Sequence, residues 1–245
     1  MSMAKFFAVW GSPNSGKTTF ATKLALSIYD EYQSTVIVLY SDFETPTLPV
    51  IFPNEKKENL FSIGSSLSRT DIYQEDVAKQ IVTVKGKCNF GFMGFKDGEN
   101  KYTYPRFDEK KIRTLYSILG TLANFVVIDC TSNLSNPLSS IAMKTSDEVI
   151  RLATPDLKSI SYFSSQLPLY VDPMFRIDRQ ICGLNVPNED LYMPIDDARS
   201  HIADVRFTIP YSRAVKQQML DGKLYQAVHD KRFNKRIRAI AEKVV

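Results

Sequence analysis

A short stretch near the N-terminus has the residue types that bind the phosphates of a nucleotide. Its eight residues, GSPNSGKT, match the pattern G-x-x-x-x-G-K-[ST] at every specified position. Glycines let backbone N–H groups curl around a phosphate, and a following helix adds the partial positive charge of its N-terminus. Lys17 should reach the β- and γ-phosphates, and the Thr18 hydroxyl should bind Mg²⁺. The predicted nucleotide-binding residues of this loop are Gly11, Ser12, Pro13, Asn14, Ser15, Gly16, Lys17, Thr18 and Thr19.

Acidic residues after two apolar segments could complete the site. Mg²⁺ binds few carboxylates and keeps several waters, so a P-loop protein needs an acid at the end of a neighbouring strand to hold the water shell of the ion. Asp129 closes the apolar run Phe125–Asp129 and is predicted to lie near the ion, the alternative being a helix N-cap. Asp42 follows the run Val36–Tyr40, and Glu44 comes two residues later. One of these two acids could orient a water for attack on the γ-phosphate, and the alternative is an ordinary turn acid.

The elements that position these residues are predicted from short apolar runs. Continuous rather than alternating runs are typical of strands buried on both faces, as in a parallel sheet covered by helices. The predicted strands are Lys5–Trp10, Thr35–Tyr40, Asn124–Asp129, Glu148–Ala153, Asp178–Asn185 and Val205–Ile209. The predicted helices are Lys17–Tyr32, Asp108–Ala123, Ser135–Thr145, Leu157–Leu169 and Ala214–Leu220. This alternation, with no linker and no repeat, predicts a single α/β domain over residues 1–245, in three α/β/α layers around a mostly parallel twisted sheet.

Two segments have weaker patterns. Residues 55–69 are polar with scattered apolar positions, which fits a surface excursion or a poorly marked helix. Residues 88–104 combine aromatic side chains with Gly91, Gly94 and the turn-like pair Asp97-Gly98, which favours a β-hairpin or a strand followed by a loop. These aromatics could form a binding surface, but we expect them in the core of the sheet because such residues are usually buried.

Composition excludes several classes of protein. The chain has 245 residues, of which 44% are hydrophobic and 24% charged, so disorder, collagen and coiled coil are excluded. Three cysteines without a CxxC spacing support neither a disulfide framework nor a zinc site, and we expect a cytoplasmic protein. The net charge of +4 does not by itself imply nucleic-acid binding. No apolar run approaches the roughly 20 residues that span a bilayer, and we expect no signal peptide.

The end of the chain is basic and amphipathic. Residues 224–245 place six apolar side chains at helical spacing, with six lysines and arginines around them. Three interpretations compete: a terminal helix packed on the sheet, a membrane-surface anchor, and a patch for non-specific DNA binding. We favour packing, because the apolar positions suffice for it and a run of charges is usually a solvated face.

With these features in order, the chain resembles the ParA/MinD family of P-loop ATPases over nearly its whole length. The family's second strand and switch I resemble VIVLYSDFETPTLPVIF, which implies that Asp42 positions the attacking water. Its Walker B strand and switch II resemble FVVIDCTSN, which implies that Asp129 lies near Mg²⁺. The strand, proline and helix that follow resemble SDEVIRLATPDLKSISYF. Two later segments resemble ICGLNVP and FTIPYSRAVKQQMLDGKLY, which implies that Asn185 recognises adenine and that Pro210 flanks the base.

The chain departs from the family's pattern at three places. The family's signature lysine, which reaches across a sandwich dimer to the partner's phosphates, has no counterpart, since the loop holds no lysine before Lys17. Tyr40 stands where an acid would precede Asp42, and Thr131-Ser132-Asn133 replaces the Pro-Ala-Gly that follows the Walker B acid. Fewer cations near the γ-phosphate imply slower hydrolysis and a dimer that depends less on ATP.

The resemblance implies a positioning ATPase. We expect an ATP- and Mg²⁺-binding, slowly hydrolysing switch that couples nucleotide state to self-association as a homodimer and to a protein cargo or a stimulating partner. One alternative is a non-catalytic nucleotide-binding localisation scaffold, and another is a small-molecule kinase-like P-loop enzyme. The expected location is the cytoplasm, with peripheral association to membrane or nucleoid as an option; DNA or membrane contact through the basic C-terminus is not favoured.

Overall fold

The computed structural model describes residues 4–190, 193–202 and 204–245. Short runs of buried apolar residues form the strands, as expected for a sheet covered on both faces. These strands are β1 (Lys5–Gly11), β2 (Val36–Tyr40), β3 (Val82–Val84), β4 (Lys87–Met93), β5 (Phe125–Asp129), β6 (Glu148–Ala153), β7 (Ile181–Asn185) and β8 (Val205–Ile209). They form one sheet in the order β3-β4-β2-β5-β1-β6-β7-β8. Every pairing is parallel except that of β3 with β4, so the predicted mostly parallel sheet is confirmed.

Ten helices lie between and after these strands within the described residues. They are α1 (Lys17–Tyr32), α2 (Leu48–Ile51), α3 (Ile63–Leu67), α4 (Gln74–Ala78), α5 (Glu109–Leu122), α6 (Pro137–Thr145), α7 (Leu157–Gln166), α8 (Ile195–His201), α9 (Arg213–Leu220) and α10 (Lys231–Val244). Side chains cap several of their first turns by accepting a backbone N–H, which stabilises a helix start. The caps of the longer helices are Asp108, Asn136, Asp156, Ser212 and Asp230.

The helices cover both faces of the sheet and enclose two hydrophobic cores. Side chains alternate along β1, so that Phe7 and Val9 enter one core while Ala8 and Trp10 enter the other. The first core contains residues of α1, α9 and α10, and the second contains residues of α5, α6 and α7. This arrangement is the three-layer α/β/α fold predicted from the sequence.

The structure corrects several predicted boundaries. β7 begins at Ile181 rather than Asp178, because residues 177–179 form a 3₁₀ turn. α7 ends at Gln166 and is followed by a 3₁₀ turn over Leu167–Leu169. The weakly patterned residues 55–69 contain a 3₁₀ turn and the five-residue helix α3. The predicted amphipathic helix from Leu224 begins only at Lys231, where Asp230 caps it.

The aromatic segment 88–104 is a strand followed by a loop, one of its two predicted forms. The hairpin in this region instead joins β3 to β4 and precedes most of the segment. Phe90, Phe92 and Phe95 are fully buried, which confirms the expected core position, whereas Tyr102 is 84% exposed. Within the described part of the chain, no helix has both the length and the apolar character needed to cross a membrane.

Candidate functional site

The loop after β1 is held at the centre of the sheet. β1 lies between β5 and β6, with Val9 opposite Asp129 and Gly11 opposite Leu152. Gly11 has φ +153°, and a Cβ at this position would lie 2.0 Å from the Leu152 carbonyl oxygen. Only glycine therefore lets the chain leave β1 beside the backbone of β6.

The loop then delivers the N-terminus of α1 to the carboxyl edge of the sheet. Gly16 caps this helix in a left-handed conformation, with φ 80°, and forms no side-chain cap. Backbone N–H groups of the first turn are therefore not used by a capping side chain, which is the arrangement that binds anions. Asn185 supports the loop from β7 by donating its Nδ2–H to the Ser15 carbonyl at 2.9 Å.

Thr18 and Asp129 meet as the predicted metal residues. The Thr18 hydroxyl donates to Asp129 Oδ2 at 2.6 Å, across 111 positions of sequence. The other carboxylate oxygen, Oδ1, is buried and has no hydrogen-bond partner among the described residues. Burial raises the pKa of Asp129 to about 7, against the Thr18 hydrogen bond and the Lys17 charge, which lower it. A buried carboxylate oxygen without a donor fits a cation, so this pair fits Mg²⁺.

A metal ion bound at Thr18 and Asp129 would need phosphate oxygens as ligands in addition to the protein oxygens. Among the described residues, no group of three or more His, Cys, Asp or Glu side chains could hold a metal ion. Mg²⁺ is commonly bound through one or two carboxylates together with substrate phosphates. The donor set is therefore one that a bound nucleotide would complete.

Lys17 contacts both the phosphate-binding loop and the segment after β5. Its ammonium donates to the Ser12 carbonyl and to Ser132 Oγ, each at 2.8 Å. Burial lowers the pKa of Lys17 below its usual range, and the neighbouring Asp129 carboxylate opposes that shift. Anionic phosphates would compensate this buried charge. In the sequence, Ser132 stands out only as a departure from a family pattern, and no motif predicts its contact with Lys17.

Asp42 lies in the same region and organises its own loop. Its Oδ1 accepts backbone N–H groups from Glu44 and Thr45, each at 2.9 Å. Both Asp42 and Glu44 line the central cavity, so both candidate water-orienting acids reach it. Orientation of the attacking water by Asp42 stays a prediction.

Tyr40 has a structural position rather than a place in the cavity. The tyrosine is fully buried, and its hydroxyl lies 2.9 Å from Thr22 Oγ1 of α1. Burial raises its pKa far above the usual range. At the position where the ParA/MinD pattern has an acid, Tyr40 therefore links β2 to α1 through its hydroxyl.

A cavity of about 760 Å³ connects these residues. Its lining includes Pro13, Asn14, Gly16, Lys17, Thr18 and Thr19 of the phosphate-binding loop and α1, together with Asp42, Asp129 and Ser132. Its lining also includes Asn185, which donates to the loop, and a more apolar set made of Val186, Pro187, Pro210, Val215, Met219 and Phe233. Polar groups beside a helix N-terminus, together with apolar side chains, suit the phosphates and the base of a nucleotide.

Most of the predicted site residues line this cavity. Asn185 and Pro210 are both among the lining residues, and their contact with the base stays a prediction. Gly11, Ser12 and Ser15 do not form part of its lining, and Ser12 and Ser15 are almost fully buried. The role of these three is thus to shape the loop, and their contact with nucleotide stays a prediction. Val215 of α9 and Phe233 of α10 also line the cavity, and no sequence motif predicts this position for either residue.

No protein family model matches the chain, and no curated protein matches it by sequence. Solved structures match over nearly the whole chain. A ParA family ATPase from Chlorobium tepidum has a TM-score of 0.75 at 14% identity, covering 98% of each chain. The chain has the fold of the ParA and MinD ATPases. MinD from Pyrococcus horikoshii, solved with Mg-ADP, has a TM-score of 0.71 at 18% identity, covering 99% of this chain and 96% of that one.

A further structure with the ParA/MinD fold is the cell division ATPase MinD from Pyrococcus furiosus. Its TM-score is 0.73 at 16% identity, and the match covers 99% of this chain and 98% of that one. At these identities the likeness shows the fold, while the chemistry must be argued from the cavity and its residues.

Proposed function

We propose that residues 1–245 form a single P-loop ATPase domain, which binds ATP with Mg²⁺, hydrolyses it slowly, and couples nucleotide state to self-association and to the positioning of a cargo or partner. The observation that carries this proposal is the Thr18–Asp129 pair, with a buried, unpartnered carboxylate oxygen, beside the N-terminus of α1. MinD from P. horikoshii, which has this fold, was solved with Mg-ADP.

The residues of this chain would divide the work of binding and turnover. Lys17 would bind the β- and γ-phosphates after leaving its contacts with Ser12 and Ser132. Thr18 and Asp129 would hold Mg²⁺, which supplies charge neutralisation at the phosphate oxygens. Asp42 would orient the attacking water. Asn185 would recognise adenine, and Pro210 would flank the base; both residues line the cavity.

Slow turnover follows from the small number of cations. The transition state of phosphoryl transfer spreads negative charge over the transferred group, and each fixed cation nearby lowers its energy. Lys17 is the only lysine or arginine in the loop Gly11–Thr18. We therefore expect a low turnover number and a dimer that is less dependent on ATP.

Replacing Lys17 with alanine tests the proposal directly. Because Lys17 points its ammonium at the cavity and not into the core, we expect a folded variant whose affinity for Mg-ATP falls at least tenfold. Isothermal titration calorimetry measures the affinity, and Lys243→Ala, an exposed lysine of α10, is the matched control. Unchanged ATP affinity in Lys17→Ala would overturn the proposed function.

Replacing Asp42 with asparagine separates turnover from binding. A water-orienting acid acts in the transition state, so we expect kcat to fall by a factor of ten or more while the affinity for ATP stays within about threefold. Phosphate release and calorimetry give the two values. Equal losses of binding and turnover would instead assign Asp42 to the metal shell.

A nucleotide-binding scaffold without turnover is the second candidate. It is favoured by the contacts of Asp42, whose Oδ1 already accepts two backbone N–H groups of its own loop. The wild-type protein decides between the two functions: phosphate release above the buffer background supports the ATPase, and binding without release supports the scaffold.

Self-association is tested by measuring molar mass. We propose a homodimer, and light scattering of the full chain with and without Mg-ATP measures its mass under both conditions. A monomer under both conditions would contradict the dimer. The cargo or stimulating partner, and a cytoplasmic location with peripheral attachment to membrane or nucleoid, are part of the same proposal.

A further inference from the structure

A second cleft of about 370 Å³ lies between α1 and α10. Its two walls are matching helix faces, because the lining positions follow the spacing i, i+3, i+4, i+7 on each helix. On α1 these positions are Lys23, Leu26, Ser27 and Asp30, and on α10 they are Lys231, Asn234, Lys235 and Arg238, with Phe233 and Ile237 of α10 also in the lining. Phe233 lines both this cleft and the central cavity. The cleft is therefore a neighbour of the proposed nucleotide site and does not contain the phosphate-binding loop.

Lys23 is a buried lysine that lines this cleft. It is 3% exposed, and its ammonium donates to Gln218 Oε1 at 2.5 Å and to the Gln226 carbonyl at 2.7 Å. Both acceptors are neutral, and none of the ion pairs among the described residues includes Lys23. Burial lowers the pKa of Lys23 to about 7. The ammonium and amine forms of Lys23 are therefore both populated near pH 7, and an anion bound beside it would favour the ammonium form.

The remaining charges of the cleft are mostly positive. The lining has four cationic side chains and one carboxylate, Asp30. Asp30 is already paired with Lys87 at 3.0 Å, and Arg238 lies 3.4 Å from Glu31. Within the described residues, Lys231 and Lys235 have no ion pair. Three cations of the cleft, Lys23 included, are thus left without a protein carboxylate.

We propose that this cleft binds a small phosphate-bearing anion, such as pyrophosphate or a phosphate monoester, between Lys23 on α1 and Lys231 and Lys235 on α10. Phosphate oxygens accept several charge-assisted hydrogen bonds at once, and an ammonium supplies strong donors for them. The cleft is concave and contains a buried lysine, so a small ligand can enter where a flat bilayer cannot. Other basic residues of α10, such as Arg232 and Lys243, do not line the cleft.

Calorimetric titration with pyrophosphate, in buffer free of phosphate and Mg²⁺, tests this site. The full chain carrying Lys17→Ala is used, so that the phosphate-binding loop is disabled and the result does not depend on the proposed ATPase function. We expect saturable binding, weakened at least tenfold when Lys23→Met is added. Adding Lys243→Met, the matched control outside the cleft, should change the affinity by less than twofold.

A variant on the opposite wall keeps the test decisive if Lys23→Met is poorly folded. Lys235 is exposed, so Lys235→Met should fold normally and weaken pyrophosphate binding at least threefold. Absence of saturable binding, or equal affinities in the Lys235→Met and Lys243→Met proteins, would overturn the proposal. Binding of duplex DNA or anionic vesicles without binding of pyrophosphate would also overturn it, by showing that α10 recognises a polyanion.

Discussion

Replacing Ile237 with alanine tests whether α10 is a packed element of the fold. Ile237 is 2% exposed and lies in the core that also contains Leu24 of α1 and Phe207 of β8. Removing three carbons from such a position leaves a cavity, and comparable Ile→Ala changes cost about 2 to 5 kcal/mol. We expect a loss of about 3 kcal/mol, which for a chain of this size lowers Tm by roughly 6 to 12 °C.

Thermal and urea unfolding followed by far-UV circular dichroism measure this loss. Lys243→Ala is the matched control, because Lys243 is exposed on the same helix and its substitution should stay within about 0.5 kcal/mol of the wild type. An Ile237→Ala protein that melts within 2 °C or so of the wild type would refute the packed helix. That result would favour the interpretations of the basic C-terminus as a membrane-surface anchor or a DNA-binding patch.

Two further predictions concern Gly11 and Lys23. Gly11→Ala should lower the free energy of unfolding in urea by about 1 to 3 kcal/mol and weaken ATP binding, because its Cβ would meet the Leu152 carbonyl. The control is Gly98→Ala, since Gly98 also has positive φ but nothing within 4 Å of an added Cβ, and this variant should leave ATP binding unchanged. Equal ATP affinities in the two variants would contradict the prediction. Between pH 7 and 10.5, unfolded Lys23 holds a proton that the folded protein has lost, so the wild-type free energy of unfolding should rise relative to Lys23→Met by about 1.4 kcal/mol per pH unit in mid-range. Parallel pH profiles for wild type and Lys23→Met would show that burial does not lower this pKa.

Local patterns in the sequence determined the elements that form the site. α1 was predicted with its observed bounds, Lys17–Tyr32, because a glycine-rich loop marks its start and buried positions recur along it. β6 and β8 also have their predicted bounds, because each is a short run with polar or turn-forming neighbours. Asp129 was found for a similar reason, since an acid at the end of an apolar strand is visible within five residues.

Tertiary structure decided which distant residues complete the site. Lys17 and Ser132 are 115 positions apart, and nothing near either residue in the sequence specifies their contact. In the sequence, nothing distinguishes Lys23 from an exposed lysine of a helix. Its side chain is buried because α1 packs against α9 and the segment before α10. Val215 and Phe233 reach the cavity because α9 and α10 pack beside α1. Periodicity records which face of an element is apolar, whereas the identity of the opposing element depends on chain topology, which no local window of sequence contains.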